Sequence, residues 1–333
     1  MASGRLRALA LVLGLATVGG CASDAAPGEA GPAGASAIGA GAHLIRGTFS
    51  PGRQPDGNTV VLDGKAGLIV FDTGRHPEHA DKIIAFARAH REPVAAILNS
   101  HWHLDHISGN IPLKAAYPKA VVYSNDPALT EALGSFLARG AESNRKRLAD
   151  PGTEPGDRED ARVDLATVEQ GRKLHPNVSL EKSQTLAIGG RKLDIHVAAG
   201  ASAGDVWFYD PKARLVAAGD LITLPAPFLD TACPAKWSAA FADILAQPFV
   251  RVVPGHGRVM VRADVLRYRD AFDALLACAR GEAAAEACAA AWADAAAPLQ
   301  DDAARDRPAA VRYASYYVAE ILRKPPKRAD CQG

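Results

Sequence analysis

The sequence has almost no excess of one charge: 38 basic against 37 acidic side chains leave a formal net charge of +1. Charge therefore gives no argument for nucleic acid or an anionic membrane surface as a partner. Long apolar runs are also missing. Leu6 to Val18, uncharged after Arg7, is too short to span a bilayer comfortably. Cysteine is scarce, with five in the whole chain, and no internal repeat is found. The length suits one substantial domain with a helical addition. Composition by itself says only mixed α and β.

Histidine, by contrast, is concentrated. His101-Trp102-His103-Leu104-Asp105-His106 offers three imidazoles and a carboxylate within six residues, directly after the apolar run Val94–Leu98. That run reads as a buried strand, which places the polar residues in the loop beyond its end. Neutral imidazole and carboxylate are good zinc ligands, and four of them this close together would be costly to pack without a metal. In an extended segment Trp102 points away from its ligand neighbours, and it reads as packing rather than catalysis.

The run resembles the signature of the metallo-β-lactamase-fold hydrolases, and three other segments resemble that family in the expected order. Gly67-Leu68-Ile69-Val70-Phe71-Asp72-Thr73-Gly74 is similar to its early strand and Asp-Thr-Gly turn. Ala217-Ala218-Gly219-Asp220 is similar to the strand ending in the aspartate that bridges two metals. Val253-Pro254-Gly255-His256-Gly257 is similar to the strand and loop carrying the last histidine ligand. The resemblance covers about residues 43 to 262. It implies an α/β fold, a four-layer αβ/βα sandwich, extended here by C-terminal helices. It also implies zinc ligands at His101, His103, Asp105, His106, Asp220 and His256, with catalytic roles for Asp105 and Asp220.

One departure matters. The family normally has Gly-His-Thr-x-Gly-Asp before the bridging aspartate, and that histidine completes the first metal site. This chain reads Gly200-Ala201-Ser202-Ala203-Gly204-Asp205, with alanine at the ligand position. His196 lies in a strand that rises about 3.3 Å per residue, too far away to substitute unless the chain bends sharply. The second site keeps Asp105, His106 and His256, with Asp220 able to join. The expectation is one or two zinc ions, with the Asp105/His106/His256 site filling first. Asp72 reads two ways: as an outer partner orienting a metal-bound histidine, or as a turn-forming acid before Thr-Gly.

The start of the chain suggests a compartment. Arg5, Arg7 and the short apolar stretch read as an export signal, and Val18-Gly19-Gly20-Cys21 resembles the bacterial lipobox. The expectation is a periplasm-facing lipoprotein attached to the membrane through a lipidated Cys21. Ala22 in the next position favours the outer membrane; plain secretion is the alternative. Setting Cys21 aside leaves Cys233, Cys278, Cys288 and Cys331, an even number for an oxidising compartment. Cys278–Cys288 would staple a helical hairpin, and Cys233–Cys331 would tie back the tail. The expected organisation is signal 1–21, flexible linker 22–42, family domain 43–262 and helical extension 263–333.

Within the domain, an insertion at about residues 129–174 reads either as a wall over the site or as a solvated helical pair. Its low apolar content around Ser143 to Arg147 favours the second. Thr223 to Leu229 follows Asp220 closely and is expected to line the cleft. Tyr313, Tyr316 and Tyr317 read as a helix face packed on the domain. Function then narrows to a zinc hydrolase of an ester, lactone, thioester or amide in a small-molecule substrate. The alternatives are a β-lactamase, which Thr223 and Asp220 disfavour at positions where lysine and cysteine are commonest, or a non-catalytic metal-binding protein on this scaffold.

Overall fold

Alternation along each strand decides which layer its side chains join. The first sheet runs in chain order through β1 (Ser36–Gly39), β2 (Ala42–Ile45), β3 (Thr59–Asp63), β4 (Leu68–Phe71), β5 (Val94–Leu98), β6 (Val121–Ser124) and β7 (Val178–Ser179). The second contains β8 (Gln184–Ile188), β9 (Arg191–Ala198), β10 (Asp205–Asp210), β11 (Leu215–Thr223) and β12 (Arg251–His256), in the order β12-β11-β10-β9-β8. Ile69 and Phe71 of β4 meet Phe208 and Ala217 in the layer between the sheets. Val70 faces the opposite way, onto Ile83 and Phe86 of α1 (Pro77–His90). On β10 the same switch sends Phe208 inward and Trp207 outward, against Trp237 and Phe241 of a helix from Pro234 to Ala246. These layers are the αβ/βα sandwich that the sequence implied.

The computed structural model describes residues 31–50 and 52–324. The export signal, Cys21 and Cys331 lie outside them. No helix among the described residues is long and apolar enough to cross a membrane.

The remaining helices arrange themselves around the sandwich. A single turn, α2 (Leu104–Ile107), and α3 (Asn110–Ala116) follow β5. The insertion forms α4 (Asp126–Gly134), α5 (Phe136–Ala149) and α6 (Pro155–Glu169). The helix outside the second sheet is α7 (Pro234–Ala246), joined by α8 (Arg262–Arg280), α9 (Ala285–Ala296) and α10 (Ala303–Tyr317). Pairs β4–β5 and β11–β12 are each parallel, so within each sheet the carboxyl ends of these strands open on one edge. Asp72, the 101–106 run, Asp220 and His256 all sit at those ends.

Several expectations need correction. The linker does not run to residue 42: β1 begins at Ser36 and pairs with β2, because Ile38 and Leu44 have apolar partners in the inter-sheet core. The cap of α4 is Asn125, whose side chain accepts from the backbone N–H of Ala128. The insertion is no solvated pair. Asp160 and Asn144 are buried, and Leu129, Leu137 and Leu174 pack with Trp102, Leu104 and Ile107. Cys278 and Cys288 form a disulfide between α8 and α9, as the hairpin reading expected. Cys233 is also disulfide-bonded and fully buried; its expected partner, Cys331, lies outside the described residues.

Candidate metal centre

Short backbone links hold the ligand loop to its surroundings. The N–H groups of Gly57 and Thr73 donate to the carbonyls of Asp105 (2.9 Å) and His106 (2.8 Å). Asn99 closes the loop from inside, donating to the His106 carbonyl at 3.1 Å and to Asn110 Oδ1 at 3.2 Å. The chain turns into α2 immediately after His103, so Asp105 and His106 share one helical turn.

Two groups of ligand atoms result. In the second cluster His256 Nε2 lies 3.0 Å from Asp105 Oδ2, and His106 Nε2 lies 3.7 Å from that same oxygen. Asp220 Oδ1 completes the ring, 3.3 Å from His106 Nε2 and 3.6 Å from His256 Nε2. His106 Nε2 and Asp220 Oδ1 are buried with no hydrogen-bond partner. Buried polar atoms are seldom left so, and this pair faces a common centre. In the first cluster His101 Nε2 lies 2.7 Å from His103 Nδ1 and 3.8 Å from Asp220 Oδ2. Asp220 thus serves both clusters, one oxygen to each.

Hydrogen bonding on the far side of three of the four rings fixes their tautomers. Asp72 accepts from His106 Nδ1 at 2.8 Å, which leaves Nε2 with its lone pair toward the cluster. Ser100 gives its hydroxyl proton to Asp72 (2.7 Å), so it accepts from His101 Nδ1 at 2.8 Å and leaves His101 Nε2 free to ligate. Thr231 gives its proton to the carbonyl of Ala201 (2.9 Å), so it accepts from His103 Nε2 at 2.8 Å and leaves His103 Nδ1 free. Two imidazole lone pairs then face each other across 2.7 Å. That contact is repulsive unless a cation draws both lone pairs, so the donor set fits a metal at the first cluster as well as the second.

The electrostatics separate two pairs of rings. Burial and the neighbouring imidazoles hold His101 well below its ordinary pKa, and burial takes His103 down to about 3; both are neutral, as ligands must be. Burial also disfavours charge on His106 and His256, but nearby carboxylates, Asp220 foremost, outweigh it and hold both above their ordinary value. Burial would raise Asp105 and Asp220; the facing imidazoles, His106 first, hold both carboxylates below their ordinary range. Burial raises Asp72 despite His106 and Ser100.

The structure thus brings together all six sequence-derived ligands: His101, His103, Asp105, His106, Asp220 and His256. Asp72 fulfils both readings, orienting two histidines from a turn position at φ 59°. His196 joins neither cluster; it stacks on Trp207 at 3.8 Å between ring centroids. Sequence reasoning missed Thr231, whose segment carries no ligand motif. It also missed Arg75, which is half-buried, 3.7 Å from Asp105 Oδ1 and paired with Asp164 of α6. His76 was missed too, bridging Asp56 and Asp160 at 3.0 Å each. These contacts dock the insertion beside the clusters, and a cavity of about 440 Å³ opens between them.

A family model described as metallo-beta-lactamase superfamily matches residues 52–278, well over half of the sequence. The chain belongs to the metallo-β-lactamase superfamily. Within it, the chain is 27% identical over 129 residues to hydroxyacylglutathione hydrolase of Synechococcus sp. (strain JA-3-3Ab). That stretch is 39% of this chain and 35% of the relative, so the match spans about a third of the relative's length. Among solved structures, a metallo-beta-lactamase from Pontibacter korlensis superposes with a TM-score of 0.54 at 18% identity, over 72% of this chain and 98% of that one. The inverting sec-alkylsulfatase Pisa1 from Pseudomonas sp. gives 0.56 at 17% identity, over 86% of this chain and 50% of the other. At those identities the two structures attest the fold alone. Members of the superfamily are hydrolases.

Proposed function

We propose that the protein is a zinc-dependent hydrolase of an ester or thioester bond in a small molecule. The observation that carries this reading is the second cluster: four ligand atoms, from buried Asp105, His106 and Asp220 and half-buried His256, within 3.7 Å of their neighbours beside an open cavity. Asp105, His106 and His256 would hold one zinc ion, and His101, His103 and Asp220 a second, weaker one. When bound, zinc supplies Lewis acidity toward an acyl oxygen and a nucleophile at neutral pH. The chain's own groups do the rest. Asp72 fixes the direction of His106 and, through Ser100, of His101. Asp105, with one oxygen toward His256 and the other toward Arg75, can accept a proton from attacking water at the mouth of the cavity. The relative named hydroxyacylglutathione hydrolase supports an acyl bond as the one cleaved.

The test is zinc content per chain by plasma mass spectrometry, paired with hydrolysis of simple esters and thioesters before and after chelation. We expect one zinc retained tightly, a second taken up weakly, and turnover lost on chelation and regained with zinc. A chain that holds no zinc, or turnover indifferent to chelation, would overturn the reading. We propose further that Cys21 carries a lipid and tethers the domain on the periplasmic side. Intact-mass measurement of the membrane fraction checks this, since an unmodified Cys21 rules it out.

A further inference from the structure

We infer that the cavity beside the clusters binds an uncharged apolar or aromatic group of the substrate, so that the cleaved bond belongs to a hydrophobic ester or thioester. This deepens the hydrolase reading above and rests on it for the bond cleaved. The cavity, about 440 Å³, is of small-molecule size. Its walls come from four parts of the chain that no short motif connects. The ligand run gives Trp102, α5 gives Phe136 and Leu137, the loop after β11 gives Phe228, and α10 gives Tyr313 and Tyr317.

The rings form a continuous series. Phe136 lies 5.5 Å from Trp102 and Trp102 lies 4.5 Å from His103; His103 lies 5.0 Å from Phe228 and Phe228 lies 6.0 Å from Tyr317. A ligand histidine therefore sits between aromatic neighbours, and a group filling the cavity would contact those rings while its acyl carbon approached Asp105, Asp220 and His256. Aromatic and aliphatic walls with few placed polar groups bind by apolar burial.

Charge on the walls points the same way. Two cations line the cavity, Arg75 and Arg147. Arg75 is committed to Asp164 and Asp105. Arg147 is exposed on α5 and donates to Asn144 at 3.5 Å. Neither leaves a buried, unpaired cation to receive a carboxylate in the interior.

The experiment compares 4-nitrophenyl esters of acetate, butyrate, hexanoate and octanoate on the zinc-loaded protein, with the 4-nitrophenyl monoester of suberate as a charged comparator of equal length. Burying one methylene favours binding by roughly fourfold, so kcat/KM should rise at least tenfold from acetate to octanoate and fall at least tenfold from octanoate to suberate. Phe136→Ala and Tyr313→Ala, both half-buried positions, should each pull the octanoate-to-acetate ratio toward one. A flat series, or a preference for suberate, overturns the inference while leaving the hydrolase reading intact. A second readout does not need turnover: calorimetric titration with 1-naphthol should show one site per chain, weakened at least fivefold by Phe136→Ala. If no ester is hydrolysed but naphthol binds in this way, the apolar site stands and the hydrolase reading falls. If neither occurs, both fall.

Discussion

The two clusters share Asp220 and the same end of the sandwich, yet they are built differently. The second has ligands from three separate elements, α2, β11 and β12, and two of its atoms have no other partner. In the first, two histidines come from one short run and the third position is Ala201, which is wholly buried. The first cluster nevertheless keeps the orientation of both remaining rings, because Ser100 and Thr231 each fix one tautomer. Ligand number and ligand direction are therefore separable. This chain has given up one imidazole of the first cluster while holding the other two rings aimed at a common point.

The change with the largest expected effect is the one that should abolish the difference by removing what the clusters share. Asp220→Ala deletes an oxygen from each, and leaves buried imidazoles without their carboxylate. We expect zinc affinity at both positions to fall and kcat/KM to drop by about a hundred- to a thousandfold, the range set by losing a principal electrostatic group. Zinc titration beside ester kinetics checks it; a variant that retains one tight zinc would show that Asp105, His106 and His256 suffice. Asp72→Asn comes next. It removes the acceptor for His106 and weakens the link to His101, and losses of such outer partners typically cost 10–100-fold in metal affinity. Because Asp72 reaches His106 directly and His101 only through Ser100, the second cluster should lose more than the first. Equal losses would break that asymmetry.

The third prediction tests the first cluster alone. Ala201→His with Thr231→Ala makes room for an imidazole where the superfamily pattern has one. A third nitrogen ligand should tighten the second zinc equivalent by roughly tenfold, about 1.4 kcal/mol, with the first equivalent unchanged. Thr231→Ala by itself should loosen the second equivalent, because it frees the tautomer of His103. Competition titration separates the two constants. If the double variant binds no more tightly than Thr231→Ala alone, the weakness of this cluster lies in its environment and not in its ligand number.

How much of this was legible follows from the distance over which each contact acts. The ligand run announced itself because four metal-type side chains sit within six residues, and Asp72, Asp220 and His256 lie at ends of strands that read plainly as apolar runs. Thr231 was invisible because it meets His103 across 128 residues and is one hydroxyl in a proline-rich loop. Strands β1 and β2 were hidden in a segment rich in alanine and glycine, where Ile38, Leu44 and Ile45 are too few to make a pattern. The insertion was misread for a physical reason. Asp160 and Asp164 look like solvated helix charges, and only the fold brings Arg53, Arg75 and His76 from the loops before α1 to meet them.

Those same charges give the smallest effect and the last contrast, since they buttress only the side of Asp105. His76 stands between Asp56 and Asp160, Arg53 pairs with Asp160, and Thr48 donates to Asp56. Burial opposes charge on all three titrating groups, but their mutual pairing wins: His76 is raised above its ordinary value, and Asp56 and Asp160 are held below theirs. A raised histidine contributes stability that is complete below about pH 6.5, the ordinary value, and is lost as pH climbs through the raised value. Depressed carboxylates contribute stability that is complete above about pH 4 and is lost as pH falls through their lowered values. Docking of α6 should therefore be tightest between those limits and loosen on either side, by about 1 kcal/mol, the net contribution of one hydrogen bond. Hydrogen exchange of the α6 amides across the pH range reads it directly. His76→Gln should remove the alkaline limb and leave the acid one. Among the described residues the first cluster has no charged contact with the insertion, so the tautomer bond between His103 and Thr231 should be indifferent to the same change. If protection of α6 is flat across that range, the His76 bridge is not what holds the wall in place.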